Sequence, residues 1–142
     1  MKTSCMVSVG GIMDSYNTYL EHPAGDVLAV EEALQIYKDI YDSINQCECE
    51  DLPEFVEAFL NKSCAYATMR TQWEFWDREK RIEKDSLRTA LHNSVIDAVN
   101  ILARLLNSEG VDTPWREQLG DKRKRVGDFA CFVAYMVGIN NR

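Results

Sequence analysis

Residues 88–110, RTALHNSVIDAVNILARLLNSEG, form the longest helical pattern in the chain and decide its fold. Polar residues here and just upstream recur every three or four positions and form one narrow stripe: Ser86, Thr89, Asn93, Asp97, Asn100, Arg104 and Asn107. Most other positions are apolar, and a helix that is apolar over most of its circumference contacts several neighbours inside a bundle. The stretch therefore predicts a central helix over residues 86–107, with Gly110 just past its end.

Three further stretches predict helices around this one. Residues 26–45 place one apolar stripe at Val27, Val30, Leu34, Tyr37, Tyr41 and Ile44, with Asp26 as N-cap and Glu32, Gln35, Asp39 and Asp42 opposite. Pro53 suits the first turn of a second helix, whose pattern continues toward residue 85. A last helix starts near Asp121, and Pro114 suits the first position of the short connection before it. No stretch alternates as a strand would. We expect an all-α bundle of about four main helices plus short extra ones.

Composition limits the class of protein. The 142 residues are 46% hydrophobic and 27% charged, which is typical of one globular domain spanning residues 1–142, with an irregular or short-helical segment at 1–24. Five cysteines and two histidines fit neither a disulfide framework nor a zinc module, so we expect reduced thiols. The apolar run at 129–139 is too short to span a bilayer and predicts a core helix. Without a secretory pattern near Met1, the expected location is the cytoplasm.

The charge is unevenly distributed along the chain. Of the net −7, residues 1–61 contribute −10 from two lysines and twelve acids, and residues 62–142 contribute +3 from fourteen basic and eleven acidic residues. The basic run Lys122, Arg123, Lys124 and Arg125 begins the last helix, where cations oppose the helix dipole. We therefore predict anionic company for it, from the chain's own acidic first helix or from a second subunit. Nucleic acid is a disfavoured partner, because the acidic remainder would repel it.

Two groups of residues are candidate sites. Asp85, Arg88 and His92 share a helical face and could exchange a proton or flank a metal ion. The favoured alternative is a buried His92, hydrogen-bonded across the bundle, beside an arginine that reaches the edge. Trp73 and Trp76, in WEFW, are candidates for anchoring an interface, with core packing as the alternative. No catalytic set and no cofactor motif is found.

Residues 95–106, VIDAVNILARLL, and residues 31–35, EEALQ, resemble the motifs of the all-α nucleotide pyrophosphohydrolases of the MazG type. The resemblance implies a magnesium site built from Glu31, Glu32 and Asp97. Gln35 and Ser94 stand where that family has glutamates, so the implied carboxylate set is incomplete. This is the enzyme alternative.

The stretches RTALHNSVIDAVNILARLLN and RVGDFACFVAYMVG resemble a family of small, uncharacterised, all-helical proteins from lactic-acid bacteria. That resemblance implies a helical fold and a bacterial source, and no activity. We therefore expect a non-catalytic protein-binding or regulatory protein that forms a homodimer or binds another protein, with no cofactor and no membrane contact.

Overall fold

The computed structural model describes residues 28–73 and 75–140, with no side-chain detail for residues 71, 139 and 140. The expectation for residues 1–24 lies outside this part, as do Asp26 and Val27. Within it there are five helices and no strand: α1 Val30–Asn45, α2 Leu52–Trp73, α3 Arg78–Ser108, α4 Pro114–Leu119 and α5 Arg123–Asn140. The predicted all-α bundle is confirmed, with four long helices and one short one. None of the described helices is both long enough and apolar enough to span a bilayer.

Helix α1 has a buried face that is displaced from the predicted stripe. Tyr37, Tyr41 and Ile44 are buried as expected, whereas Val30 and Leu34 are only half-buried. The other apolar side chains of the buried face are Ala33, Ile36 and Ile40. Because α1 contacts both α4 and α5, its buried face is wider than the predicted stripe and also includes Ala33, Ile36 and Ile40.

Helices α2 and α3 are separate helices joined by a short turn, where the sequence suggested one continuing helix. The side chain of Asp77 is the reason: it accepts a hydrogen bond from the Lys80 backbone N–H at 2.9 Å and so caps the start of α3. Helix α3 consequently begins eight residues before the predicted Ser86. It ends as expected, with Gly110 at φ +83° and the Val111 N–H bonded to the Leu106 carbonyl at 2.9 Å.

Only the second half of α3 lies in the core. Its buried residues are His92, Val95, Ala98, Val99, Leu102, Ala103 and Leu106. None of residues 78–91 is buried, and Ile82 and Leu87 expose 66% and 44% of their surface. The predicted insertion of residues 86–107 into the bundle is therefore found from His92 onward, and residues 86–91 are not buried.

Helix α5 is the most deeply buried helix, as its apolar run predicted. Every residue from Val126 to Val133 is buried, and the Phe129 ring stacks on the Phe59 ring of α2 at 6.4 Å between centroids. Gly127 permits the close approach of α2, because a Cβ there would lie 2.8 Å from the Tyr66 hydroxyl. The fold thus brings α5 against the polar residues in the second half of α2.

A buried carboxylate joins three segments of the chain. Asp128 of α5 is 2% exposed and accepts hydrogen bonds from the Arg70 Nη2 of α2 at 2.6 Å and from the Leu28 backbone N–H at 2.9 Å. Leu28 lies just before α1. The charge on Asp128 is stabilised by this pairing, since a buried carboxylate without a partner would be strongly unfavourable.

We expect Asp128→Asn to lower the free energy of unfolding by about 2–3 kcal/mol, because it leaves Arg70 without its counter-charge. The value lies at the low end for buried pairs, since the Arg70 side chain is 27% exposed and can reach water. Urea denaturation followed by circular dichroism measures it. The matched control is Asp121→Asn. The Asp121 side chain is 74% exposed and pairs with Arg116, so its loss should lower the free energy of unfolding by less than about 1 kcal/mol. Equal losses in the two variants would contradict this account of Asp128.

Candidate functional site

The sequence predicts that Asp85, Arg88 and His92 share a face of α3. In the structure Asp85 and Arg88 are paired, and His92 is not part of that pair. Arg88 Nη2 donates a hydrogen bond to Asp85 Oδ1 at 2.7 Å, and the Arg88 guanidinium lies 4.3 Å from the centroid of the Trp73 ring. His92, one turn further along, hydrogen-bonds to neither. Asp85 is exposed, so the pair lies at the edge of the molecule.

His92 is buried, but the predicted hydrogen bond across the bundle is not made. The residue is 6% exposed, and neither ring nitrogen has a hydrogen-bond partner. Its neighbour is the Tyr66 ring of α2, in an edge-on arrangement with 5.9 Å between centroids. The Tyr66 hydroxyl lies against Gly127 and makes no hydrogen bond to the imidazole. The ring thus has unused hydrogen-bonding capacity in a place where water is excluded.

The surroundings of His92 disfavour its charged form. Burial is the main cause that lowers the pKa of the imidazole, and the positive charges of Arg123 and Arg88 lower it further. The Asn93 side chain and the Arg123 backbone act in the opposite direction and do not cancel the shift. The neutral imidazole is therefore the form that the fold favours.

This lowered pKa predicts a pH dependence of stability. The unfolded chain, with the ordinary histidine pKa of 6.5, binds the proton more readily than the folded one. The stabilisation is therefore complete above about pH 6.5 and is lost as the pH falls from there through the folded-state pKa, by up to about 1.4 kcal/mol per pH unit. We expect His92→Gln to flatten this slope in urea titrations between pH 7 and pH 5. His22→Gln, which removes the chain's other histidine, is the control, and a wild-type slope in His92→Gln would refute the assignment.

Trp73 and Trp76 contact cations of their own chain at the α2–α3 turn. Besides Arg88, the Arg81 guanidinium lies over the Trp73 ring at 5.8 Å, and Lys80 lies over the Trp76 ring at 5.6 Å. Both indoles are half-buried, and their centroids are 6.2 Å apart. The aromatic residue between them, Phe75, is 85% exposed. Sequence reasoning missed Phe75, and its place between two tryptophans in a turn was the one signal that could have found it.

The basic run at the start of α5 has one acidic partner among the described residues. Arg125 forms a two-bond ion pair with Glu32, with Nη1 to Oε1 at 3.2 Å, and the hydrogen bond from Arg125 lowers the pKa of Glu32. The predicted company from the acidic first helix is thus present for Arg125. Lys122, Arg123 and Lys124 are exposed, and the described residues supply no carboxylate to them.

The three carboxylates of the enzyme alternative do not meet. Glu31 is exposed, Glu32 is paired with Arg125, and Asp97 borders a groove of about 370 Å³ between α2 and α3. Helix α1 packs on α4 and α5, away from that groove. No group of three or more histidine, cysteine, aspartate or glutamate side chains suited to a metal ion occurs in the described part of the chain.

Comparison with known proteins gives no relative for this arrangement. No protein-family model, no curated protein and no solved structure matches the chain. The two resemblances noted in the sequence remain predictions.

The placement of Asp97 leads to an expectation for the enzyme alternative. With magnesium or manganese, nucleoside triphosphates should not be hydrolysed above background, because Glu31 and Asp97 lie apart and a single carboxylate holds such ions weakly. Asp97→Asn should change the free energy of unfolding by no more than about 0.5 kcal/mol, as for an ordinary surface residue. A pyrophosphate-release assay with wild type and Asp97→Asn tests both points. Release that disappears in the variant would establish the enzyme alternative.

Proposed function

We propose that the chain is a non-catalytic protein-binding or regulatory protein of the cytoplasm that acts as a homodimer and needs no cofactor. The observation that supports this best is the exposed apolar surface on residues 75–91, which we call the hairpin end. It carries Phe75 at 85% exposure, Ile82 at 66% and Leu87 at 44%. Large apolar side chains that remain exposed on one segment are typical of contact surfaces.

The hairpin end has little support from its own fold. Residues 78–91 form almost four helical turns without a single buried residue. A helix of that length is marginal by itself in water, so most of its stability comes from packing. Here Leu91 packs against the core, Arg81 Nε donates a hydrogen bond to the Trp73 carbonyl at 2.9 Å, and the two tryptophans contact arginine and lysine side chains. A protein partner that covers Phe75 and Ile82 would add the missing apolar contacts.

Charge favours a second copy as that partner. The hairpin end is slightly basic, with a net charge of +1 from five cations (Arg78, Lys80, Arg81, Lys84 and Arg88) and four acids (Asp77, Glu79, Glu83 and Asp85). The start of α2 is acidic and exposed at Asp51, Glu54 and Glu57. Since α2 and α3 are joined by a short turn and pack together, this acidic surface lies at the far end of the hairpin. In a two-fold dimer, each copy would place its basic end on the other's acidic end, so the contact would be made twice.

We expect the wild-type chain to sediment as a dimer that dissociates as salt is raised, because part of the attraction is between exposed charges. Ile82→Glu should weaken dimerisation at least tenfold by placing a carboxylate in the contact. The matched control is Lys38→Gln, on the exposed side of α1, which changes the net charge by the same amount and should dimerise as wild type does. Sedimentation equilibrium measures both. A monomeric wild type at high concentration, or equal weakening in the two variants, would refute the proposal.

A further inference from the structure

Positive charge accumulates where the start of α5 meets α3. Arg123 is the first residue of α5, an 18-residue helix whose N-terminus carries a partial positive charge. Arg88 of α3 is close by, since Arg123 Nη2 donates a hydrogen bond at 3.2 Å to the hydroxyl of Thr89, the next residue along α3. Two guanidinium groups and a helix N-terminus repel one another unless negative charge lies between them.

The described residues do not supply that negative charge to Arg123. Its hydrogen bond from Nη2 goes to the neutral Thr89 hydroxyl at 3.2 Å. Asp85 pairs with Arg88 through Nη2 and forms no ion pair with Arg123. Asp128 pairs with Arg70, and Glu32 with Arg125. The excess positive charge is therefore local to Arg123 and its neighbours in the basic run.

Buried hydrogen-bonding groups without partners lie at the same place. Both His92 ring nitrogens and the Arg88 Nε have no hydrogen-bond partner and are shielded from solvent. His92 is 94% buried, and the Arg123 backbone is near enough to influence its imidazole. Leaving a buried polar atom unsatisfied costs about 1–3 kcal/mol. The Arg88 Nε–H and the single N–H of the neutral imidazole are two such donors, and the second ring nitrogen is an unsatisfied acceptor.

We propose that a small phosphate-class oxyanion binds here, between Arg88, Arg123 and Thr89 at the N-terminus of α5, with His92 as the buried donor beneath it. Its oxygens would accept hydrogen bonds from Arg88 Nε, from the imidazole N–H and from the Arg123 N–H groups that do not bond to Thr89. Oxyanions suit this combination because guanidinium groups and helix N-termini both present convergent N–H donors.

The ligand is a small anion and not a polyanion, because the chain's net charge of −7 would repel an extended row of phosphates. The site shares Arg88 and Thr89 with the hairpin end, whereas Arg123 and His92 lie outside residues 75–91. Variants of Arg123 therefore test the anion site, and variants of Ile82 test the dimer contact.

Nuclear magnetic resonance tests the proposal in a His22→Gln background, in which His92 is the one remaining histidine. Inorganic phosphate and pyrophosphate are titrated at constant ionic strength against chloride. We expect saturable shifts of the His92 ring resonances and an increase in the His92 pKa, because an adjacent anion favours the imidazolium form. Phosphate should also raise the midpoint of thermal unfolding.

Two matched variants separate specific binding from general attraction. Arg123→Gln should weaken phosphate binding at least tenfold, whereas Lys124→Gln, which removes the neighbouring exposed charge, should leave it within about twofold. Circular dichroism verifies that both remain folded. Equal effects of the two variants, or no saturable shift of His92, would overturn the site. A shift of His92 that depends on protein concentration and not on phosphate would overturn it too, by assigning the anion to carboxylates of a second copy. Tighter binding of a short single-stranded oligonucleotide than of pyrophosphate would overturn the choice of a small anion.

Discussion

The contact of the Asp128 carboxylate with Arg70 and with the Leu28 backbone is the interaction on which the arrangement of the helices depends. It joins the most buried helix, α5, to α2 and to the chain just before α1. Apolar packing holds helices together without fixing their depth or rotation closely, whereas a buried charge tolerates only positions in which it is satisfied. Where Asp128 lies, α5 also brings Gly127 against Tyr66 and Arg123 beside His92. The positions of Tyr66 and His92 against α5 thus depend on the Arg70–Asp128 pair.

Helix α3 takes part in two different environments. Its second half is held by ordinary core packing around Val95, Val99 and Leu102. Its first half is held by charged side chains lying on indole rings, and it leaves apolar surface open. The proposed dimer contact and the proposed anion site both lie on the first half or where the halves meet. Both proposed sites therefore lie where the core packing of α3 ends.

Periodicity alone was enough to predict the helices, the end of α3 at Gly110 and the burial of α5, because those features depend on residues close in sequence. The start of α3 was misplaced, since Asp77 was one of several acids in a charged stretch and only its geometry makes it a cap. The Arg70–Asp128 pair spans 58 residues, and no local pattern distinguishes it from other charges. The buried state of His92 was predicted, but its missing hydrogen bond was not, because that depends on which side of the Tyr66 ring faces α3.

The tryptophan turn between α2 and α3 also differs from the rest of the molecule in how it responds to its surroundings. The turn joins indole rings, which do not ionise, to the guanidinium groups of Arg81 and Arg88, and arginine is in general not deprotonated in proteins. The attraction between the rings and the guanidinium groups is therefore unaffected by pH. The charge of the His92 imidazole, one turn beyond Arg88, does change with pH. Acidification would loosen the region around His92 and leave the turn closed. The first half of α3 would then stay in contact with α2 through Trp73, and any movement of α3 would be a rotation about that contact.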